Sequence, residues 1–330
     1  MESSKLKIIL CDSVYSPQLE DFARNMLRDY KNLEIVNLPH APKGEELGRI
    51  LNDAYAVTID VNTGPITPGI IGKMERCKII VTLSTGYDHI DLKVASKRGI
   101  YVCNVSNYCV EEVADQTLGF LITITRKMQR LSKLGADFES YQKVGPVHRL
   151  RGRTLGLIGV GKIGKAVSER ARAFGLQVIA YDPYVPGGSL PGIRLVELKE
   201  LLHTADIISI HSLLTDETRH MISTTQFKEM KDGVFIINCG RGGIIDHDPL
   251  VEALQSGKVA GAGVDVYEKE PPDPTEPLLH MEQVFATPHT AFNSFEADMD
   301  RQRIPIEEII RVLNGELPKG IVNRAMLEKT

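Results

Sequence analysis

Short runs of β-branched and aliphatic residues alternate with amphipathic segments from one end of the chain to the other, and this alternation limits the possible folds more than any other feature. Strands that each feed an amphipathic crossover pair in parallel, with helices covering both faces of the sheet. Two such series follow one another. In the first, strands are expected over 7–11, 33–38, 54–60, 79–83 and 101–103, separated by helical patterns such as Leu19, Phe22, Ala23, Met26, Leu27 and Tyr30. The second starts at Thr154 with Thr-Leu-Gly-Leu-Ile-Gly and continues through 178–181, 207–210, 234–237, 262–266 and 284–286. A helical stretch over 110–135 lies between the two series. Another, over 297–313, follows the second, and Pro305 is expected to kink it or to mark its real start.

Length agrees with this division, because 330 residues exceed the roughly 250 to 300 at which a single core stops growing. With 42% hydrophobic and 25% charged residues the chain can bury a sizeable core, which excludes a disordered or fibrous protein. Lys and Arg number 39 against 43 Asp and Glu, a formal charge of −4 without long blocks of one sign. That balance removes the main electrostatic reason to expect a nucleic acid or a membrane as partner. The longest later apolar stretch, 118–124, falls far short of the roughly 20 residues a membrane span requires. The five cysteines, Cys11, Cys77, Cys103, Cys109 and Cys239, form no C-x-x-C pair and no zinc-type spacing, so no metal is expected. They read as free thiols in a reducing compartment. The N-terminal apolar run, 6–11, is too short for a signal peptide, and a cytoplasmic protein is expected.

Gly159-Val160-Gly161-Lys162-Ile163-Gly164 fits G-x-G-x-x-G directly after an expected strand and at the start of an expected helix. In that context Gly159 permits a tight turn, Gly161 lets the backbone approach a pyrophosphate, and Gly164 lets helix and sheet pack closely. Ile163, Ala166, Val167, Ala171 and Phe174 form one apolar helical face, and Gly175 is the stop signal. The next strand ends in Asp182, placed to accept the adenosine ribose hydroxyls. Pro183-Tyr184 offers no cation for a 2'-phosphate, so the cofactor expected is NAD, with NADP disfavoured.

Three polar residues follow strands of the second series at the carboxyl edge, where open α/β sheets hold their ligands: Arg241, Glu270 and His289. Arg241, in Asn-Cys-Gly-Arg-Gly-Gly, carries a guanidinium fork that matches a carboxylate. His289, after Pro288, can exchange a proton near neutral pH, and Glu270 can hold its ring. Taken singly, such a His is more often structural and such a Glu more often a solvated loop residue.

In this order the motifs resemble the D-isomer-specific 2-hydroxyacid dehydrogenase family over nearly the whole chain. The matching segments are Ser84 to Asp91, Asn104-Val105, the glycine turn, His211 to Thr215, Asn238 to Gly243, Asp265 to Pro271, Thr287 to His289 and Gly315 to Asn323. The resemblance implies two doubly wound parallel-sheet α/β domains. A Rossmann NAD-binding domain, 106–296, would be inserted in a flavodoxin-like substrate domain made of 1–105 and 297–330. It implies that Arg241, Glu270 and His289 are catalytic, with Arg241 and His289 also touching substrate. It places Asp265 on the nicotinamide carboxamide and Lys162, Ile163, His211, Cys239 and Gly240 beside the dinucleotide. Ser84, Thr85 and Gly86 would hold the substrate carboxylate, and two subunits would pair through their cofactor domains. The reaction implied is reversible hydride transfer between NADH and a small 2-oxo acid. Arg241 would polarise the oxo group, and His289 would give the proton.

The substrate stays open among glyoxylate or hydroxypyruvate, a pyruvate-like acid and 3-phosphohydroxypyruvate. Tyr108 lies where D-lactate dehydrogenases carry a similar segment, as a substrate contact or as a ring packed at the domain seam. Arg149, Arg151 and Arg153 would reach a phosphate or remain solvated linker charges. The segments around the glycine turn and His289 are also similar to C-terminal-binding proteins, with Phe292 where that branch has Trp. The alternative function is therefore a dimeric NADH-sensing scaffold with weak or vestigial dehydrogenase activity.

Overall fold

The computed structural model describes residues 5–11, 16–135, 137–185 and 190–328. The chain divides into two compact units, Met1–Tyr108 with Ser294–Thr330, and Cys109–Asn293.

The first unit is built on five parallel strands, β1 (Leu6–Leu10), β2 (Leu33–Asn37), β3 (Ala54–Ile59), β4 (Ile79–Thr82) and β5 (Tyr101–Asn104), in the order β2-β1-β3-β4-β5. This is the flavodoxin-like order expected of a doubly wound sheet. Its strands are apolar on both faces because each face is covered by helices. On one side Ile9, Val57, Ile80 and Val102 pack with Leu47, Ile70 and Ile71; on the other Ile8, Leu10, Ile79 and Val81 pack with Leu19, Ile306 and Ile309. The helix Phe295–Leu313 supplies the latter pair. Ser294 starts it by accepting from the Ala297 N–H, and it runs through Pro305 without ending there. A proline inside a helix costs about 3 kcal/mol or more. Here Pro305 is buried, and the apolar stripe of Ile306, Ile309 and Val312 offsets that cost by its own burial. The expected start at 297 is thus two residues late, and the proline marks no boundary. Beyond the helix, Asn323 ties the chain to β5: its Oδ1 accepts from Val102 N, and its Nδ2 donates to the Ile100 carbonyl.

The second unit holds seven parallel strands, β6 (Thr154–Ile158), β7 (Gln177–Tyr181), β8 (Arg194–Leu195), β9 (Ile207–Ile210), β10 (Val234–Asn238), β11 (Val259–Val264) and β12 (Val284–Ala286). The order β12-β11-β10-β9-β6-β7-β8 is that of a Rossmann sheet, with β6 and β9 flanking the point where the winding reverses. One strand more is present than the sequence pattern indicates. Arg194–Leu195 is only two residues long, too short to show a period. The expected helix over 110–135 is two helices, Val110–Thr125 and Met128–Leu134. Between them Lys127 takes a left-handed backbone (φ +53°), which ends one helix and starts the next. The first of these is bound tightly into its unit. Its Phe120 meets Phe285 of β12 edge to face at 5.8 Å, and Arg170 pairs with its Glu111 and Asp115. Among the described residues no helix is long and apolar enough to cross a membrane.

Candidate active site

At the winding reversal, β6 runs into the turn Gly159–Gly161 and then into the helix Lys162–Ala173. Gly159 has φ +92°, and a Cβ there would lie 2.8 Å from the Ser212 nitrogen. A Cβ on Gly164 would lie 2.4 Å from the Gly159 carbonyl oxygen, so helix and turn touch only because it has none. At Gly161 the corresponding direction is open for 4 Å, while Lys162 and Ile163 open the helix with its outward N–H groups. That is space and polarity for a pyrophosphate. Asp182, just past β7, closes the site. Its Oδ2 accepts from Val160 N at 3.0 Å and its Oδ1 from Tyr184 N at 3.0 Å, which fixes the carboxylate beside the turn. Tyr184 in turn donates from its hydroxyl to Glu217 Oε2 at 2.5 Å, linking the loop after β7 to the loop after β9. The residues therefore fit a dinucleotide.

His211 follows β9, with its Nε2 2.9 Å from Ser209 Oγ; burial pushes its pKa down to about 4, so the ring is neutral at physiological pH. After β10, Asn238 shapes the next turn. Its Oδ1 accepts from Gly240 N, and its Nδ2 donates to the Arg241 carbonyl. Cys239 sits in that turn with its thiol pKa raised to about 12 by burial, which keeps it protonated at physiological pH.

Glu270 and His289 come together, and Arg241 is near enough for its charge to act on the Glu270 carboxyl. His289 Nδ1 lies 2.7 Å from Glu270 Oε2, and Glu270 Oε1 accepts from Tyr267 N at 3.0 Å. Burial alone would raise the Glu270 pKa. The His289 hydrogen bond and charge, the Tyr267 N–H and the nearby Arg241 charge together outweigh it and leave the carboxyl below its ordinary range. The carboxylate thus engages one imidazole nitrogen and leaves Nε2 for other chemistry.

His289 itself stands in a left-handed conformation, φ +53°, which a histidine adopts at a cost. Asp265, 1% exposed at the end of β11, holds it there. The Asp265 backbone carbonyl accepts from His289 N at 2.7 Å. Its side chain accepts from Thr287 Oγ1 (2.5 Å), Thr290 N (2.8 Å) and Ala291 N (2.9 Å). Asp265 was expected only as a cofactor contact. Its part in shaping the histidine loop leaves no mark in sequence, because its partners lie 22 to 26 residues away and two of them are backbone groups.

In the first unit, Ser84, Thr85 and Gly86 follow β4 at the carboxyl edge of that sheet. Asn104 Nδ2 donates to the Thr85 carbonyl at 2.7 Å, and Ser84 Oγ to the Gly86 carbonyl at 2.7 Å. Tyr108, the last residue of this unit before the crossing, is buried, with 7% of its surface exposed. Among the described residues no group of three His, Cys, Asp or Glu is arranged to hold a metal ion.

A glycine turn at the winding reversal and an imidazole backed by a carboxylate on the same sheet edge are the parts of a dinucleotide-dependent oxidoreductase. Residues 118–291 match the D-isomer specific 2-hydroxyacid dehydrogenase NAD-binding domain. A glyoxylate reductase of Thermofilum pendens is 34% identical over 296 residues, 87% of this chain and 86% of that protein. A D-3-phosphoglycerate dehydrogenase of Methanocaldococcus jannaschii is 38% identical over 282 residues, 84% of this chain but only 53% of that longer protein. The chain thus spans about half the length of that curated relative. Among solved structures, the D-lactate dehydrogenase of Aquifex aeolicus complexed with NAD and lactic acid superposes with a TM-score of 0.82 at 29% identity, covering 98% of each chain. The chain belongs to the D-isomer specific 2-hydroxyacid dehydrogenase family, whose members are NAD-dependent oxidoreductases, and it carries the family's NAD-binding domain.

Proposed function

We propose that this protein reduces a small 2-oxo acid to the D-2-hydroxy acid, reversibly and with NADH. The single observation that carries the proposal is the 2.7 Å contact between His289 and Glu270 on a loop shaped by Asp265. The second unit holds the dinucleotide, through Gly159, Gly161, Lys162, Ile163 and Gly164 at its phosphates and Asp182 at its ribose. Asp265, His211, Cys239 and Gly240 line the same edge. When bound, the nicotinamide ring gives or takes the hydride. The chain's own residues do the rest. Arg241 binds the substrate carboxylate with its fork and draws charge onto the 2-oxo oxygen. Glu270 orients His289, whose Nε2 donates the proton to that oxygen in reduction and takes it back in oxidation. Ser84, Thr85 and Gly86 of the first unit receive the carboxylate through their backbone N–H groups.

The substrates proposed are glyoxylate or hydroxypyruvate, a pyruvate-like acid and 3-phosphohydroxypyruvate, and a panel of these with NADH tests the reading. Turnover on at least one supports it. Tight NADH binding with negligible turnover on all would point instead to a dinucleotide-sensing scaffold. Asp182 favours NAD over NADP, since a carboxylate at the ribose would repel a 2'-phosphate and Pro183-Tyr184 supplies no cation to neutralise one. NADPH is therefore expected to bind more weakly than NADH in fluorescence titrations, and equal binding would remove that role. We further propose a homodimer through the second unit, supported by the solvent exposure of Phe138 (85%) and Tyr141 (57%) there.

A further inference from the structure

The loop after β4 has all four of its carbonyls turned into protein. Leu83 O accepts from Arg301 Nε at 2.9 Å, Ser84 O from Val105 N at 3.1 Å, Thr85 O from Asn104 Nδ2 at 2.7 Å, and Gly86 O from Ser84 Oγ at 2.7 Å. These peptides are trans, and in a planar trans peptide the C=O and the N–H point opposite ways. The first three contacts therefore aim the N–H groups of Ser84, Thr85 and Gly86 away from their donors. The loop is oriented as a whole by what grips its oxygens.

Three of those four donors are neutral and come from the loop or from the end of the adjacent strand β5. The fourth is a guanidinium from the helix Phe295–Leu313, 218 residues along the chain. Arg301 is 7% exposed, and its Nη1 is buried as well. It lies on the same buried stripe as Ala297, Pro305 and Ile306, where an aliphatic side chain would pack without any cost of desolvation. A buried charge at such a position is expensive unless it is matched by hydrogen bonds and by opposite charge. An apolar residue there would leave the Leu83 carbonyl without this donor.

We infer that Arg301 is a positioning residue for the substrate carboxylate. Its Nε donates to the Leu83 carbonyl and thereby fixes the plane of the peptide that carries the Ser84 N–H. The inference rests on the reading of Ser84 to Gly86 as the carboxylate cradle. It predicts an effect on substrate affinity rather than on the chemical step, because the residue acts through the cradle and not on the reacting atoms.

The test uses the full chain saturated with NADH and compares wild type with Arg301→Met and Arg301→Gln. It reads KM and kcat for whichever 2-oxo acid the wild type reduces best. It also reads the dissociation constant of oxamate, an unreactive carboxylate analogue, by calorimetry. Arg301→Met is expected to weaken oxamate binding and raise KM by about tenfold or more, the scale of one lost charged hydrogen bond. Its kcat should stay within about threefold, since nothing specific to the transition state is removed. Arg301→Gln keeps a donor without the charge and should fall between. A folded Arg301→Met with wild-type KM and oxamate affinity, or a loss confined to kcat, would overturn the inference. Should Arg301→Met fail to fold, unchanged oxamate affinity in Arg301→Gln does the same. A wild type that neither turns over 2-oxo acids nor binds oxamate overturns the reading of the cradle, and this inference with it.

Discussion

At the scale of single residues, Asp265 organises more of the site than the groups that would do the chemistry. Its buried carboxylate accepts from Thr287 Oγ1 and from the backbone N–H groups of Thr290 and Ala291. Replacing it with alanine leaves those donors unmatched, and each buried unsatisfied group costs about 1 to 3 kcal/mol. Asp265→Ala is therefore expected to lose about 2 to 4 kcal/mol of stability in denaturant titrations and to cut turnover by about tenfold or more. Full activity in a destabilised Asp265→Ala would show that the left-handed backbone at His289 does not depend on it. Much of the candidate site was legible as a pattern before the fold, because Gly159, Asp182, Arg241 and His289 stand just after recognisable strands, Gly164 completes the glycine motif, and Glu270 lies in the loop that follows β11. Asp265 and Arg301 could not be read in the same way. One works through long-range backbone partners, and the other looks like any charge on a helix that is half polar.

Among the elements, local rules set the strands well and the helix boundaries less well. Parallel strands buried on both faces read as continuous apolar runs, so β1 to β7 and β9 to β12 stand out. Tertiary packing decided the rest. Pro305 stays inside its helix because the flanking residues are buried, and Lys127 breaks a stretch whose pattern looks unbroken. A further joint between elements is His247, at the start of the helix His247–Gln255. Its Nδ1 lies 2.8 Å from Asp248 Oδ1 and its Nε2 2.6 Å from Glu276 Oε1 at the cap of the helix Pro277–His280. Burial lowers the His247 pKa, but the two carboxylates outweigh it, and the net shift is upward. A raised folded-state pKa means stability that is fully present below the unfolded value near 6.5 and is lost as pH rises through the folded value. His247→Asn should therefore lower the melting temperature more at pH 6 than at pH 9. Equal losses at both would show that the ring acts only by packing.

For the whole molecule, the family relationship, the two sheets and the dinucleotide site agree with one another, and Phe138 and Tyr141 of the second unit are exposed aromatic residues proposed to meet a partner. If that partner is a second copy, Phe138→Glu combined with Tyr141→Glu should shift the protein from dimer to monomer in sedimentation velocity. A wild type that sediments as a monomer would rule the dimer out. The substrate is the part that neither periodicity nor motif spacing could reveal, because the contacts that choose among 2-oxo acids lie in side chains of loops rather than in the repeating pattern of strands. The most direct test of the central claim is NADH oxidation by wild type and by His289→Asn over the 2-oxo acid panel, with NADH affinity measured alongside. The account predicts turnover of at least one acid by the wild type and a loss of about 100-fold or more in His289→Asn, the scale of a missing general acid, with NADH affinity retained. Undiminished turnover in His289→Asn would contradict it.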